Sequence, residues 1–462
     1  MMGLARRIVG WGALLIALVA TGGLVWLAVA PPTLLKLGTA YAAKIVCSNV
    51  ALAGRDPGEV MALDVQARGH PLLKLLAADV EPDGTTTVSF PFGIAAHTAA
   101  PRTGLGCAVD AAVASATDLA PIEPSDLPIA IEPAVQAVLE RDDLPNPGWR
   151  GLLVLKDGVV IGERYALGFT PETPLIGWSM TKTVGAALVG TAVERGLVSL
   201  EDDRLFPEWT DDRAAITLAD LLAMEADLDW NEGYGNISDV SLMVFFAPDA
   251  SAYAVARPME AAPGTRFEYS TGTTMLLGGV LERAITEAGG DAATYPREAL
   301  LRPLGMAGST LETDPSGGPL IGSKLYAPPR DWARFARFLL DGGVAPDGTR
   351  LVPEGWVEMM MTPSEASGGT YTRGQMWKEG STVATDAQGN DLHAMVPEET
   401  VWMRGIDGQT VALVPSQGLA VVHMGLTPSR AEQTPQPLLR AVLDALEARS
   451  ADGYAASVPR GG

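Results

Sequence analysis

The sequence predicts an α/β chain of the α+β type: one antiparallel sheet built from both ends of a large domain, flanked by helices, with an inserted helical domain. A spanning helix and a small disulfide-containing module precede it. Three observations carry this. A 23-residue run without charge, Ile8 to Ala30, opens the chain behind Arg6 and Arg7. β-prone runs joined by turn residues occur near both ends of the remaining sequence, and helical segments fill the middle.

At ~1.5 Å per residue, a helix over Ile8 to Ala30 crosses a bilayer. A cleaved signal has a shorter apolar stretch of ~7–15 residues before a small-x-small site. Ala28-Val29-Ala30 has that form, but Pro31 and Pro32 follow at once and make poor cleavage sequence. An uncleaved anchor is the expectation. Arg6 and Arg7 stay inside by the positive-inside rule, so residues 1–7 are expected in the cytoplasm and everything past the span (8–30) outside it, in the periplasm or at the cell exterior.

That compartment is oxidising, and the chain has two cysteines, Cys47 and Cys107. An even pair in an exported protein predicts one disulfide. Both fall in a small module, 31–120, with a helical stretch from Leu34 to Val46, a turn at Pro82-Asp83-Gly84 and a β-prone run from Thr85 to Phe90. A proline- and acid-containing linker, 121–128, leads into the large domain, 129–449, and a flexible tail expected to hold little structure, 450–462, closes the chain.

In the large domain, Leu152 to Leu155 and Val159 to Tyr165 are joined by Lys156-Asp157-Gly158, a hairpin signal. Thr410 to Val414 and Leu419 to Met424 repeat the pattern around Pro415-Ser416-Gln417-Gly418, and Pro437 to Arg449 reads as a C-terminal helix. Between them lie helical patterns over Thr183 to Arg195, Leu218 to Met224, Thr273 to Glu287 and Asp331 to Leu340, the first and last closed by glycine.

Charge and motifs exclude several functions. A formal charge of -22 repels phosphate backbones, so no nucleic-acid partner is expected. Four scattered histidines with no HExxH or CxxC do not support a metal site, and no cofactor is called for. No G-x-S-x-G elbow occurs, which removes α/β-hydrolases. The oligomeric state stays open.

The sharpest local signal is Trp178-Ser179-Met180-Thr181-Lys182, where a loop becomes an apolar helix. Residues three apart share a helix face, which brings the Ser179 hydroxyl within reach of the Lys182 amine. A serine becomes nucleophilic when a neighbouring base takes its proton, and lysine serves only when burial makes its ammonium form costly. The alternative is a helix N-cap with a solvated lysine.

The segment Leu175 to Gly190, LIGWSMTKTVGAALVG, resembles the nucleophile segment of the serine β-lactamase and penicillin-binding protein superfamily. It is similar in particular to the class C β-lactamase-like branch that includes esterases and 6-aminohexanoate-dimer hydrolase. The likeness runs from Gly151 to Gly425 and includes ITLADLLAMEADLDWNE, PGTRFEYSTGTTMLL, LGM, RDWARF and GIDGQTVALVP. It implies a transpeptidase-like fold and an acyl-enzyme on Ser179, with Lys182 as base and Tyr269 as proton shuttle. Tyr269 matches the tyrosine of a Tyr-x-Asn motif, here Tyr269-Ser270-Thr271, and the shuttle role implies a phenol whose pKa a neighbouring ammonium lowers. Thr271 stands where the family's asparagine meets the substrate amide.

The family's Lys-Thr-Gly becomes Met403-Arg404-Gly405 when Gly405 is aligned. The amide of Ile406 is then expected to partner that of Ser179 as an oxyanion hole. On the strand, Arg404 alternates away from Met403 and Gly405, which leaves a substrate carboxylate without an anchor. Asp407 and Gln409, flanking Gly408, belong to the substrate cleft or to a tight turn between strands. Trp178, Trp230 and Trp377 wall an acyl pocket or pack in the core. The implied substrate is a small-molecule ester or linear amide. A β-lactamase, a D-amino acid peptidase and a catalytically silent envelope-bound binding protein remain as alternatives, separated by a covalent serine probe and a substrate panel.

Overall fold

The computed structural model describes residues 2–67, 69–111 and 119–457. Helix α1 (Met2–Val29) holds the apolar run, and its stretch Gly10–Val29 is long and apolar enough to cross a membrane. It stops where Pro31 and Pro32 withhold the amides needed for another turn. Helix α2 (Thr33–Ala53) begins directly after Pro32 and runs past the expected end to Gly54, which caps it in the left-handed conformation (φ 61°). A short helix α3 (Pro57–Val60) follows.

The rest of the module is a four-stranded antiparallel sheet, β1 (Ala77–Val80), β2 (Thr86–Phe90), β3 (Ile94–Arg102) and β4 (Gly106–Val109), paired in chain order. Only β2 was legible beforehand. Strand β3 reads IAAHTAAPR, alanine-rich and closed by proline, a composition with weak strand preference that pairing and packing against α2 override. The disulfide Cys47–Cys107 joins α2 to β4 across a Cα separation of 6.1 Å.

In the large domain, α4 (Pro133–Leu139) precedes the hairpin β5 (Trp149–Lys156) and β6 (Val159–Tyr165). The chain then makes β7 (Leu175–Ile176), α5 (Thr181–Glu194), α6 (Leu218–Ala223), α7 (Asp239–Phe245), α8 (Ala250–Val255) and α9 (Thr271–Glu287). Short strands β8 (Thr310–Leu311) and β9 (Leu325–Ala327) pair with each other and with β7. Helices α10 (Pro329–Leu340) and α11 (Trp356–Met361) lead to β10 (Val401–Gly405), β11 (Gln409–Val414), β12 (Leu419–Gly425) and α12 (Gln436–Ser457).

The main sheet is antiparallel in the order β10-β11-β12-β5-β6, so the two chain ends meet where β12 pairs with β5, Val421 opposite Val154. Its faces alternate as strand periodicity requires. Leu153, Leu155, Val411, Leu413 and Val422 face the large core with α5, α9 and α10, while Leu152, Val154, Ala412, Val414 and Val421 pack with α4 and α12. Helix α12 carries on through 450–457 of the expected tail, and 458–462 lie outside the described residues.

The 121–128 segment is pinned to the large domain. Arg302 donates to the carbonyls of Ala120 and Pro121, Arg334 to that of Ser125, and Ile122 and Leu127 enter the main core. Two buried ion pairs tie the module down as well. Lys44 meets Glu312 at 3.1 Å, and Glu312 also accepts from Ser48 (2.6 Å) and the amide of Cys107 (2.9 Å). Asp64 receives Arg150 at 2.6 and 3.0 Å and Arg55 at 2.9 Å. Their desolvation is offset because the charges are paired and most of their polar atoms hydrogen-bonded.

Candidate active site

The nucleophile segment enters through Gly177, which must be glycine: a Cβ there would lie 2.3 Å from the Trp332 ring. Trp178 follows with φ 48°, a left-handed conformation costing on the order of 1 kcal/mol for a non-glycine residue. This turn buries the Trp178 ring and leaves Ser179 half-buried in a 3-10 turn at the head of α5.

One turn on, Lys182 is fully buried and its Nζ lies 3.1 Å from Ser179 Oγ, 2.8 Å from Thr271 Oγ1 and 2.9 Å from the carbonyl of Gly322. Burial pushes its pKa down to about 8, against a smaller pull upward from Glu232. The amine is therefore neutral in an appreciable fraction of molecules near neutral pH, which a base for serine requires.

Tyr269 precedes α9, whose N-cap Ser270 accepts from the amide of Thr273. The Tyr269 ring lies 5.1 Å from Lys182 Nζ and 5.1 Å from the Trp377 ring. Its pKa is raised, contrary to the expectation of a lowered one. Burial is the main cause and the Glu232 carboxylate the second, while hydrogen bonding with Ser179 and the charge of Arg404 pull the other way. Tyr269 is thus held as a phenol, suited to passing a proton through its hydroxyl.

Glu232 was not foreseen. Its Oε1 accepts from Thr271 Oγ1 (2.5 Å) and Tyr234 (2.7 Å), its Oε2 from Trp230 Nε1 (2.6 Å) and the amide of Thr271 (2.9 Å). The indole of Trp230 sits against α9 at Gly272, where a Cβ would come within 2.6 Å of the ring. Trp230 therefore packs in the core and holds Glu232. The available signal was the run Trp230-Asn231-Glu232, but only tertiary contact brings it to the head of α9.

Several expected contacts are corrected. Thr271 is buried and donates its one hydroxyl proton to Glu232, so it has none left for a substrate amide. Trp178 packs into the module's core, its ring against Lys324 Nζ at 4.2 Å, and is not a wall of the cleft. Gln409 uses its amide on both backbone groups of Gly425, tying β11 to β12. Asp407 is buried in the tight turn after β10 with φ 65°, as the turn reading has it.

Other expected residues do gather at the site. Gly405 ends β10 beside the nucleophile turn, where a Cβ would lie 2.3 Å from the carbonyl of Gly177, and Ile406 follows it. Trp377 is paired to β10 through Trp402 and forms an aromatic wall with Tyr269, Tyr371 and Phe267. Met403 is buried in the main core while Arg404 emerges on the other side, as alternation requires. That side is not empty: the Arg404 guanidinium stacks on Trp377 at 4.8 Å and donates to the carbonyl of Glu379 at 3.0 Å. Burial lowers its pKa to about 10, which leaves it a cation beside Tyr269.

A family model described as Beta-lactamase matches residues 148–441. The chain belongs to the beta-lactamase family. Its match to 6-aminohexanoate-dimer hydrolase of Paenarthrobacter ureafaciens is 26% identical over 256 residues, covering 50% of this chain and 64% of that protein. This beta-lactamase family member shares its fold with a 6-aminohexanoate-dimer hydrolase candidate from Bacillus anthracis, at TM-score 0.57 and 18% identity over 71% of this chain and 89% of that one. EstCE1, a hydrolase with promiscuous acyltransferase activity, aligns at TM-score 0.51 and 18% identity over 68% of this chain and 97% of its own.

Proposed function

We infer that this beta-lactamase family member is a serine hydrolase that cleaves small-molecule esters or linear amides through an acyl-enzyme on Ser179. The observation that carries the reading is the buried Lys182 amine, pushed down to about 8 and 3.1 Å from Ser179 Oγ. Neutral Lys182 takes the serine proton as Oγ attacks the carbonyl carbon. The tetrahedral oxyanion is received by the backbone amides of Ser179 and Ile406. The proton on Lys182 passes to Tyr269 as Tyr269 gives its own to the leaving oxygen or nitrogen, the acyl group stays on Ser179, and water then releases it as the acid. The names of the relatives, a 6-aminohexanoate-dimer hydrolase and a hydrolase with promiscuous acyltransferase activity, support hydrolysis by acyl transfer.

The apolar α1 is read as an uncleaved membrane anchor with 1–7 cytoplasmic and the rest outside. Trp11 and Trp26, both exposed, stand near the two ends of its apolar stretch Gly10–Val29 as interfacial tryptophans do. The disulfide fits that compartment.

The test is intact-protein mass spectrometry after mixing with a nitrophenyl ester. The adduct is expected on the wild-type chain and absent from Ser179→Ala. Adduct formation in Ser179→Ala, or none on the wild type with any ester, amide or fluorophosphonate probe, refutes the reading.

A further inference from the structure

We propose that the end of the module nearest α1, carrying Phe92, Leu75, Lys36 and Lys74, docks on the face of the bilayer that α1 enters. The inference rests on the reading of α1 as a membrane anchor and goes beyond it by assigning the module an orientation.

Contacts along α2 show which end of the sheet is which. Near the start of α2, Thr39 donates to the carbonyl of Ala95 at 2.6 Å, and a Cβ at Gly38 would meet the Leu73 side chain at 3.4 Å. Both positions are within ~10 Å of the first residue of α2 at 1.5 Å per residue. Leu27, at the end of α1, packs on the module's core, and α1 touches β3. At the middle of α2, Lys44 donates to the carbonyl of Cys107, and near its far end Ala51 lies against Gly84 in the β1–β2 turn. The β2–β3 turn and the segment 71–75 before β1 therefore sit at the membrane end, and the turns at 82–84 and 103–105 point away.

What that end presents is unusual for a soluble surface. Phe92 is 88% exposed at the tip of the β2–β3 turn, and Leu75 is 55% exposed beside Lys74. Stretches 31–38, 69–77 and 89–98 contain no acidic residue in a chain with 55 of them, yet hold two of its seven lysines. The acids Glu81 and Asp83 lie in the opposite turn, and Asp110, which follows β4 at this end, faces His97 Nε2 at 3.5 Å. Aromatic and leucine side chains flanked by lysine suit the interfacial zone of a bilayer with anionic headgroups, where the ring enters the acyl boundary and the ammonium groups meet phosphate. The occupant is the lipid surface because the patch is continuous with the helix that enters it.

The docking also sets the height of the active site. Tyr41, two turns into α2, packs edge-on against Phe245 at 5.2 Å, and Lys324 Nζ lies between the rings of Phe245 and Trp178 at 4.3 and 4.2 Å. The residue before the nucleophile is thus joined through three side chains to the membrane-proximal half of α2.

The full chain is reconstituted in vesicles of phosphatidylcholine and phosphatidylglycerol, with single nitroxide labels at Leu18→Cys, Leu75→Cys, Phe92→Cys or Asp83→Cys. Both native cysteines are in the disulfide, so only the introduced thiol reacts. Collision with oxygen relative to a water-soluble nickel chelate reports depth. The Phe92 and Leu75 labels are expected to give ratios several-fold above Asp83 and below Leu18, and Lys36→Glu with Lys74→Glu is expected to bring the Phe92 ratio down. Phe92 and Leu75 ratios equal to Asp83, with Leu18 deep in lipid, overturn the docking alone. A water-exposed Leu18 overturns the anchor and the docking together.

Discussion

Thr271 donates its hydroxyl to Glu232 at 2.5 Å while accepting from Lys182 at 2.8 Å, so one side chain couples a surface-loop carboxylate to the buried amine beside Ser179. The Thr271 hydroxyl, donating to one group and accepting from the other, can relay a charge between them. The electrostatics of the base therefore depend on Glu232, whose attraction raises the Lys182 pKa against the larger effect of burial.

The first prediction concerns pH. kcat/KM for a neutral ester should rise with pH through an apparent value near 8 as Lys182 deprotonates. Glu232→Gln removes a charge that favours the ammonium form, so the acidic limb should move to lower pH. A limb that stays put or moves up in Glu232→Gln contradicts the coupling. Linkage gives a second readout with its own sign. The folded value lies below the ordinary 10.5, so the folded state binds fewer protons than the unfolded between about 8 and 10.5. Stability from this group should rise with pH across that window, a contribution that Lys182→Met should abolish.

Removing the nucleophile or its base should cost ~10³-fold or more in acylation, because the two act as a unit and their losses do not add. Single-turnover kinetics of Ser179→Ala, Lys182→Ala and the double variant test this. A double variant much slower than either single one would mean that the two act independently.

Tyr269→Phe should slow amide hydrolysis more than hydrolysis of activated esters, since an amide nitrogen must be protonated before it leaves and a nitrophenolate need not be. Parallel kcat measurements on an anilide and a nitrophenyl ester decide it. An equal loss on both would remove the shuttle role and leave Tyr269 as a wall beside Trp377.

Glu312→Ala should destabilise the folded chain by about 3 kcal/mol, because it strands a buried Lys44 ammonium and removes the acceptor of Ser48 and the Cys107 amide. Denaturant unfolding measures this. Lys44→Met combined with Glu312→Leu should recover most of the loss, and a single variant as stable as wild type would show that water replaces the pair.

A nitrophenyl ester and a linear aminoacyl amide should be better substrates than nitrocefin. Met403, which the alignment on Gly405 expects at the family's lysine, is buried without charge, and Arg404 is held on Trp377 and the carbonyl of Glu379. A β-lactam carboxylate then meets a cation already engaged with the Trp377 ring. kcat/KM in one buffer ranks the three, and a first place for nitrocefin overturns this argument.

The sequence by itself determined the hairpin β5–β6, the strands β11 and β12, the apolar α1 and the Ser179–Lys182 spacing. These are local: alternation, turn residues and helix periodicity act within a few residues of each other. The tertiary structure alone decided how the side chains at the site are spent. Thr271 was expected to face a substrate, and Gln409 and Trp178 either to face it or to serve the turn and the core; each is consumed by a partner elsewhere in the sequence: Glu232, Gly425 and Lys324. The rise in the Tyr269 pKa also came from the fold, since desolvation and the field of Glu232 exist only once loop, helix and sheet edge have closed around the phenol. Strand β3 makes the same point for the backbone, for its alanines carry little strand preference until α2 and two neighbouring strands satisfy their hydrogen bonds and cover them.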